Sequence, residues 1–469
     1  HEFIDIQCAR CNEYKPTDGL TYALLNDDTY EVTGPKNCIE STIVIPSKYN
    51  GKSVTSIGES AFSYNCNITR VILPQTIKRI NTRAFDFCEK LTEINFPQSL
   101  NEIGSYAFQY CKALASIDLH NNITTIGKSA FYNCTGLKTL IVPGSIERIE
   151  ESTFDYCKGL ESVTIQSGVK YIGPSAFYSC ENLKQVDIPE SVISIGTSAF
   201  YYCASLVEIV LPDSITSIGN QVFIYCNKLE KVQMSNNITS IPTHTFYDCG
   251  SLKEVILPEK LTSIGNYAFF DCESLESITI PNTVTIIKMS AFDSCSSLKV
   301  IELPSSVITI ENSAFVDCTS LENIFIPNSV TTMGSYVFYR SANVVIYCES
   351  ISQPTSWDEL WNAGNRPVIW DYNGEQTHDC FGEYEKTVAP TCTENGYDVY
   401  VCQFCKEEFY KNKNLQRKLK ALTNYYENGK WLKDYQLDEE NLLPKNLKRG
   451  ILSQDGIYNF LSEVESREV

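Results

Sequence analysis

The sequence has few of the features that membrane proteins and enzymes carry. It has no uninterrupted run of about 18 apolar residues, so no segment is predicted to span a membrane. It has only 4 histidines in 469 residues, and no HExxH, P-loop or GxSxG motif in a suitable context. Because nothing places a nucleophile, a base or a carboxylate pair around one bond, we predict that the chain is not an enzyme.

Positive charge is also scarce. The chain has 38 Lys and Arg against 57 Asp and Glu, which gives a formal net charge of −19. This charge would repel the phosphates of nucleic acids and the surface of an anionic membrane, so neither is an expected partner. The chain starts HEFIDIQCARC, with neither a Met nor a signal-peptide pattern. We expect that it begins inside a larger protein or after processing.

A repeat of 23 residues runs through most of the chain. Its clearest marker is a phenylalanine, which recurs without insertion or deletion at thirteen positions: Phe62, Phe85, Phe108, Phe131, Phe154, Phe177, Phe200, Phe223, Phe246, Phe269, Phe292, Phe315 and Phe338. Leucine follows most of them after six residues, and further aliphatic residues follow after nine and eleven. The unit reads L-x-x-V-x-I-P, then S-V-x-x-I-G-x-x-A-F-x-x-C. A fixed period of this length is typical of repeat architectures.

The repeat predicts a solenoid. Alternation at V-x-I, ended by a proline such as Pro212, indicates one short strand per repeat. One strand in 23 residues has no partner within its own repeat, so it must pair in parallel with the next coil. We therefore expect a parallel β-sheet on one wall and short strands, 3₁₀ turns or helical turns on the other, with Ile218 and Phe223 pointing inward.

Eleven of the 20 cysteines keep this period, from Cys88 to Cys318, and Cys66 is one residue out of step. In a solenoid they stack as a ladder. We expect buried thiols whose weak donor satisfies a backbone carbonyl. Two alternatives are less favoured. Neighbouring cysteines could be oxidised to disulfides, which the spacing of the coils would permit, or the ladder could have a metal or catalytic role.

The segments Ile-Pro-x-Ser-Val and Ile-Gly-x-x-Ala-Phe-x-x-Cys resemble the BspA-like leucine-rich repeats of bacterial and protozoan surface proteins. The resemblance covers roughly residues 20 to 372 and extends to an N-terminal β cap and a closing cap that contains Trp357, Trp361 and Trp370. It implies extracellular adhesion or protein binding and no catalytic residues. The predicted domains are a remnant of a Cys-rich module at 1–16, an N-terminal cap at 17–57, repeats at 58–346, a C-terminal cap at 347–374, a CxxC module at 375–411 and a charged, partly helical segment at 412–469.

The CxxC module has the residues of a small metal site. Cys402 and Cys405, with Cys392 and either His378 or Cys380, would supply the four ligands of a structural zinc. A disulfide from Cys392 to Cys402 or Cys405, or free thiols in a small β-rich module, explains the same residues.

The two ends of the chain lie outside the repeats. Cys8-x-x-Cys11 at the start looks like the tail of another Cys-rich module, which would lack two of its ligands. At the other end we expect a helix that is capped at Ser453 and runs through Leu461. The end segment resembles part of a small uncharacterised bacterial domain.

Two columns of residues are candidates for partner contact. The residue ten positions after each repeat phenylalanine lies between core positions and should face outward; the candidates here are Ile72, Asp118, Ile141, Asp187, Val210, Ile256 and Phe325. The second set lies one or two residues after the phenylalanine and is rich in tyrosine, with Tyr110, Tyr156, Tyr202 and Tyr225 as candidates. Each column has an alternative explanation. In the first, the apolar residues are present because they favour strands. In the second, the rings stack on one another.

These observations favour a secreted or cell-surface adhesion protein that uses a rigid solenoid as a contact surface. Its expected partners are proteins of a host matrix or of a bacterial surface. Two alternatives stay open at this point. The array is a spacer that displays terminal modules, or it is a glycan-binding accessory to an enzyme elsewhere in the parent chain.

Zinc in the CxxC module is tested by metal analysis of protein purified without chelator, together with a count of free thiols. If His378, Cys392, Cys402 and Cys405 bind the metal, about one zinc per chain is expected. A metal-free protein in which Cys392 is oxidised would instead show that the disulfide explanation is right.

Overall fold

The structure is a computed structural model. It describes residues 14–36 and 40–372 in full, and otherwise only the backbone of five strands at Phe3–Ile4, Gln7–Cys8, Gly382–Val388, Tyr397–Cys402 and Glu408–Tyr410. The chain divides into two compact units, His1–Asn373 and Gly374–Val469. In the second unit the last three of these strands form an antiparallel sheet. Phe3–Ile4 and Gln7–Cys8 form an antiparallel pair in the first unit.

The first unit is a parallel β-solenoid of about 15 turns with the predicted period of 23 residues. Its first wall, here called the front wall, is built from V-x-I segments that pair in parallel with the same positions one coil later, as Thr139 to Ser162. These pairs form sheets of three, three, three and five strands. The strands are Thr42–Val44, Arg70–Ile72, Glu93–Ile94, Thr139–Val142, Ser162–Ile165, Gln185–Asp187, Glu208–Val210, Lys231–Gln233, Glu254–Ile256, Ser277–Thr279, Val300–Glu302, Asn323–Ile326, Val345–Cys348 and Val368–Ile369.

A second wall, the side wall, carries a strand of two residues in most coils. These strands also pair in parallel from coil to coil, as Ser194 with Ser217. The strands are Lys52–Ile57, Arg79–Ile80, Glu102–Ile103, Thr125–Ile126, Arg148–Ile149, Tyr171–Ile172, Ser194–Ile195, Ser217–Ile218, Ser240–Ile241, Ser263–Ile264, Ile286–Ile287, Thr309–Ile310 and Thr332–Met333.

The third wall, the turn wall, contains the A-F-x-x-C segments. The described residues contain no helix of any kind, so of the alternatives expected outside the main sheet, short strands joined by turns are the ones observed. Backbone N–H groups alternate in this wall: that of Phe85 donates to the Ala107 carbonyl of the next coil, and that of Asp86 donates back to Arg83. A donor that bonds to the neighbouring coil is not available for a helical bond within its own coil, so this wall consists of turns that are linked from coil to coil. It follows that the described part of the chain contains no helix that could cross a membrane.

The core is a stack of identical side chains. The thirteen repeat phenylalanines are all buried, and neighbouring ring centroids lie 5.2 to 5.7 Å apart with interplanar angles of 1 to 20°. The repeat leucines and Ile218 are buried beside them, so the predicted inward positions are confirmed. Offset stacking of this kind adds to the free energy gained by removing the rings from water.

Each end of the stack is covered. At the N-terminus, Leu20–Leu24 pairs antiparallel with Tyr30–Pro35, which joins the side wall by parallel pairing with Lys52–Ile57. Lys48–Tyr49 also pairs with Lys52–Ile57, in antiparallel fashion. At the C-terminus, the buried Trp361 packs edge-on against Phe338 at 6.2 Å. These contacts cover the first and last coils.

The cysteine ladder lies on the turn wall and is reduced. Each ladder thiol lies within hydrogen-bond distance, 3.1 to 3.3 Å, of a phenylalanine carbonyl 26 residues earlier, as Cys203 Sγ does with Phe177 O. In the last coil Ser341 takes this place, and its hydroxyl donates to Phe315 O at 2.7 Å. The expected role as buried donors is confirmed, and the described cysteines are free thiols.

Alkylation of native protein, followed by mass spectrometry, tests the ladder. Cys66 is exposed, so its thiol should react readily. Burial raises the pKa of Cys157 and of Cys226 to about 12, so these thiols should react at least about tenfold more slowly until denaturant is added. Equal reaction rates for Cys66 and the ladder cysteines would contradict this picture.

Candidate binding surfaces

The front wall exposes the column of residues ten positions after each phenylalanine. Side chains alternate across a strand, so the core positions on either side place this column outside. Ile141 is 55%, Val210 46%, Ile256 46% and Phe325 38% exposed. Asp118 and Asp187 are exposed as well, whereas Ile72 is half-buried. Their outward placement agrees with the sequence pattern, and their role in contact stays a prediction.

Parallel pairing brings the column into register within each sheet. Ile141 lies opposite Thr164, and Thr164 lies opposite Asp187. Val210 lies opposite Gln233, which lies opposite Ile256. Apolar and polar side chains therefore alternate along the wall, and the exposed apolar area is divided into separate patches.

The front wall has a shallow depression where two of its sheets meet. Gln185–Asp187 ends one sheet and Glu208–Val210 begins the next. The depression between them has a volume of about 720 Å³, and its charged lining residues are Lys184, Asp187, Glu190, Glu208 and Asp213. Lys184 Nζ lies 2.9 Å from Glu161 Oε2 outside the depression. The lining is therefore acidic.

At its C-terminal end the front wall becomes aromatic. The ring of Phe325 lies 5.0 Å from that of Tyr347 and 5.2 Å from that of Tyr372. The rings of Tyr347 and Tyr372 meet edge-on at 4.9 Å. Phe325 therefore belongs to a cluster of three rings, which the column pattern alone did not indicate.

The turn wall carries a continuous file of aromatic rings, one from each of ten successive coils. Neighbouring centroids lie 4.3 to 5.9 Å apart along Tyr64, Phe87, Tyr110, Tyr132, Tyr156, Tyr178, Tyr201, Tyr225, Tyr247 and Phe270. Most of these rings are half-buried, and the alternative in which the rings pack on one another along this wall is confirmed. Tyr202 lies beside the file, 6.0 Å from Tyr225 and 39% exposed. Whether Tyr110, Tyr156, Tyr202 and Tyr225 also contact a partner stays a prediction.

The backbone of the turn wall is left-handed at two positions in every coil. The residues two before and two after each repeat phenylalanine have φ between 50 and 65° in all thirteen coils, including Tyr110, Tyr156, Tyr202 and Tyr225. None of them is a glycine, so sequence reasoning missed this conformation. A usable signal was present, because Asn133, Asp248, Asp271 and Asp317 occupy one of the two positions and such residues tolerate it best.

Asp155 is a buried carboxylate next to the ring file. It is 7% exposed, and its Oδ1 has no hydrogen-bond partner among the described residues. Burial raises the pKa of Asp155 to about 7, although a hydrogen bond from Ser152 opposes the shift. The negative charge of Asp155 also raises the pKa values of Tyr132 and Tyr178, after the larger effects of burial and of neighbouring tyrosines.

No group of three or more His, Cys, Asp and Glu side chains that could hold a metal ion is found in the fully described ranges. The predicted ligands His378, Cys392 and Cys405 lie outside the described residues, as does the alternative ligand Cys380. Only the backbone of Cys402 is described, at the end of a strand. The zinc site therefore stays a prediction, as does the helix from Ser453 to Leu461.

The stability of the first unit should depend on Asp155 as pH changes. The folded carboxyl holds its proton up to a pH of about 7, whereas an unfolded Asp loses it near 3.9. The folded state therefore gains stability from this group at low pH and loses it as pH rises through about 7. Denaturant unfolding at pH 4.5 and pH 8 should show that Asp155→Asn stabilises at pH 8, on the order of 2 kcal/mol. Asp118→Asn, on the exposed front wall, controls for net charge, and an equal effect of the two substitutions would contradict the assignment.

Comparison with protein families gives two matches. A family described as BspA type Leucine rich repeat region (6 copies) matches residues 36–161, 147–274 and 239–353. A second family, described as Domain of unknown function (DUF4298), matches residues 402–467. No curated protein sequence matches the chain.

One solved structure supports the same fold. A leucine-rich repeat protein from Bacteroides ovatus is 27% identical over 70% of this chain and 98% of its own, with a TM-score of 0.54. A leucine rich cell surface protein from Faecalibacterium prausnitzii is 26% identical over 74% of this chain and 96% of its own, with a TM-score of 0.46. The second score is too low for a structural argument. The repeat matches together span residues 36–353, which is more than half of the sequence, and the chain therefore belongs to the BspA type leucine rich repeat family.

Proposed function

We propose that this chain is a secreted or cell-surface binding protein whose solenoid presents the front wall to protein partners. The observation that carries the proposal is the exposed apolar column. Ile141, Val210 and Ile256 leave about half of their side-chain surface in water on a wall where polar residues would be the ordinary choice. A partner that covered these aliphatic side chains would gain free energy by removing their apolar area from water.

The acidic lining of the central depression favours a partner with complementary positive charge. Asp187 and Val210 lie in this depression, so charged and apolar contacts are available side by side. Proteins of a host matrix or of a bacterial surface are the proposed partners, and catalysis is not part of the proposal. Membership of the BspA type leucine rich repeat family supports the proposed location, because such repeats resemble those of bacterial surface proteins.

A role as a spacer is the second candidate, because the unbroken stack of thirteen phenylalanines gives the array a continuous core. The proposed binding role differs from it in requiring particular side chains on the front wall. A glycan-binding role gains less support. The ring of Phe87 stacks on Tyr64 on one side and on Tyr110 on the other, at 4.7 and 4.3 Å, so stacking within the file covers ring faces that a sugar would need.

The front-wall proposal is tested with the triple variant Ile141→Thr, Val210→Thr and Ile256→Thr. Threonine keeps the β-branched shape and removes apolar area, so folding should be unaffected. Binding to a panel of purified matrix proteins and to intact bacterial cells should fall at least about tenfold, as measured by surface plasmon resonance and cell adhesion.

The matched control replaces polar residues of the same column, as Thr164→Ser, Gln233→Ser and Thr279→Ser. Binding by this control should stay within about twofold of that of the wild type. Unchanged binding by the folded triple variant would rule out the column as the contact surface, and a wild-type chain that binds nothing on the panel would favour the spacer.

A further inference from the structure

The turn wall carries a second surface of a different chemistry. In the coils of Phe246 and Phe269, four rings form a cluster. His244 stacks on Tyr267 at 4.9 Å, and Tyr247 stacks on Phe270 at 4.6 Å. The two pairs meet at 5.5 Å between His244 and Tyr247 and at 5.9 Å between Tyr267 and Phe270. We call these four rings, together with the carboxylates of Asp248, Asp271, Glu273 and Asp293, the acidic aromatic patch.

Among the described residues, the carboxylates of this patch have no cation of their own. Arg340 pairs with Asp317 in the adjoining coils, at 3.1 Å. In the described ranges, none of the four patch carboxylates forms an ion pair. Asp248 accepts a hydrogen bond from Asn227 Nδ2 at 3.2 Å, and Asp293 accepts two from serine hydroxyls at 3.0 and 3.1 Å.

The electrostatics of the patch agree with this lack of counter-charge. Burial, and then the negative charges of Asp271 and Glu273, raise the pKa of Asp248. Burial also raises the pKa of Asp293, with a further contribution from Asp317 and Asp271. Burial lowers the pKa of His244, which disfavours a positive charge on its ring. An added cation would relieve this repulsion.

Elsewhere on the same wall, the chain supplies cations to equivalent rings itself. The guanidinium of Arg83 lies 5.2 Å from the centre of the Tyr106 ring. Lys158 Nζ lies 5.7 Å from the centre of the Tyr156 ring and 2.7 Å from Glu181 Oε1. Lys112 repeats the arrangement with Tyr110 and Glu89, at 5.7 and 2.8 Å. A cation held between a tyrosine ring and a carboxylate is therefore a recurring contact of this wall.

We propose that the acidic aromatic patch is an interaction surface for a basic segment of a partner protein. Lysine or arginine side chains of that segment would lie between the rings of Tyr247, Tyr267 and Phe270 and the carboxylates of Asp248 and Asp271. Arginine suits the site best, because its planar guanidinium stacks on aromatic rings and binds a carboxylate through two N–H groups. The patch lies on the turn wall, so this inference does not depend on the front wall.

The experiment must separate this patch from the general attraction of a chain with a net charge of −19. The probe is a fluorescent peptide of about eight residues in which arginine and glycine alternate, titrated with the full chain in about 150 mM NaCl and followed by anisotropy. The patch variant is Asp248→Asn, Asp271→Asn and Glu273→Gln. Its affinity should fall at least about tenfold.

The matched control removes three exposed carboxylates that lie outside the patch and outside the front-wall depression, as Glu102→Gln, Glu302→Gln and Glu322→Gln. The change in net charge is the same, so its affinity should fall by less than about twofold. Equal losses in the patch variant and in the control would overturn the proposal, as would a wild-type chain that does not bind the peptide.

A second measurement uses the unsubstituted protein and does not depend on the folding of a variant. Carbodiimide joins carboxylates to lysine amines in direct contact, so a peptide in which lysine and glycine alternate should cross-link at Asp248, Asp271 and Glu273. Cross-links spread evenly over the carboxylates of all three walls would overturn the proposal. Failure of the front-wall test would leave this result unchanged, because the probe and the substituted residues differ.

Discussion

Hydrogen bonds between successive coils are the interaction on which the rest of this structure depends. A coil of 23 residues cannot pair all of its own backbone N–H and C=O groups. In each wall, these groups therefore form hydrogen bonds to the neighbouring coils. The front and side walls do so as parallel strands. The turn wall does so with every second N–H, as in the bond from Phe85 N to Ala107 O at 2.8 Å. No coil would be stable alone, and the array must form as a stack.

Stacking places identical residues on top of one another, and this selects the residue types. Phenylalanine fits because parallel rings pack at the spacing that the backbone imposes. Cysteine fits because it is small, apolar and still a weak donor. The Cys203 thiol lies 3.3 Å from the Phe177 carbonyl in the wall where the chain bends. Ser341 makes the same contact in the last coil, so the position requires a small donor and the sulfur is not essential.

The same stacking gives the two outer surfaces different characters. Alternation along the front-wall strands leaves single apolar residues such as Ile141 and Val210 in water. The turn wall instead holds two left-handed residues in each coil, at a cost of roughly 1–2 kcal/mol for each residue. Hydrogen bonds between coils offset this cost, and the conformation aligns tyrosines and carboxylates in files. The continuous file of rings therefore lies on the turn wall, and the exposed aliphatic column lies on the front wall.

The sequence by itself determined the solenoid, its period, the inward phenylalanines and the outward column, because a strict period of 23 residues and an alternation of two leave one consistent arrangement. It also indicated the cysteine ladder. Only the tertiary structure decided which side chains of different coils meet. Asp155 is buried beside Tyr156, and Asp248 and Asp271 lie near Tyr247. The residue types at these positions differ from one coil to the next, so the repeat pattern does not indicate these contacts. The left-handed turns were hidden for a related reason, since contacts between coils impose them on residues with little intrinsic preference for that conformation.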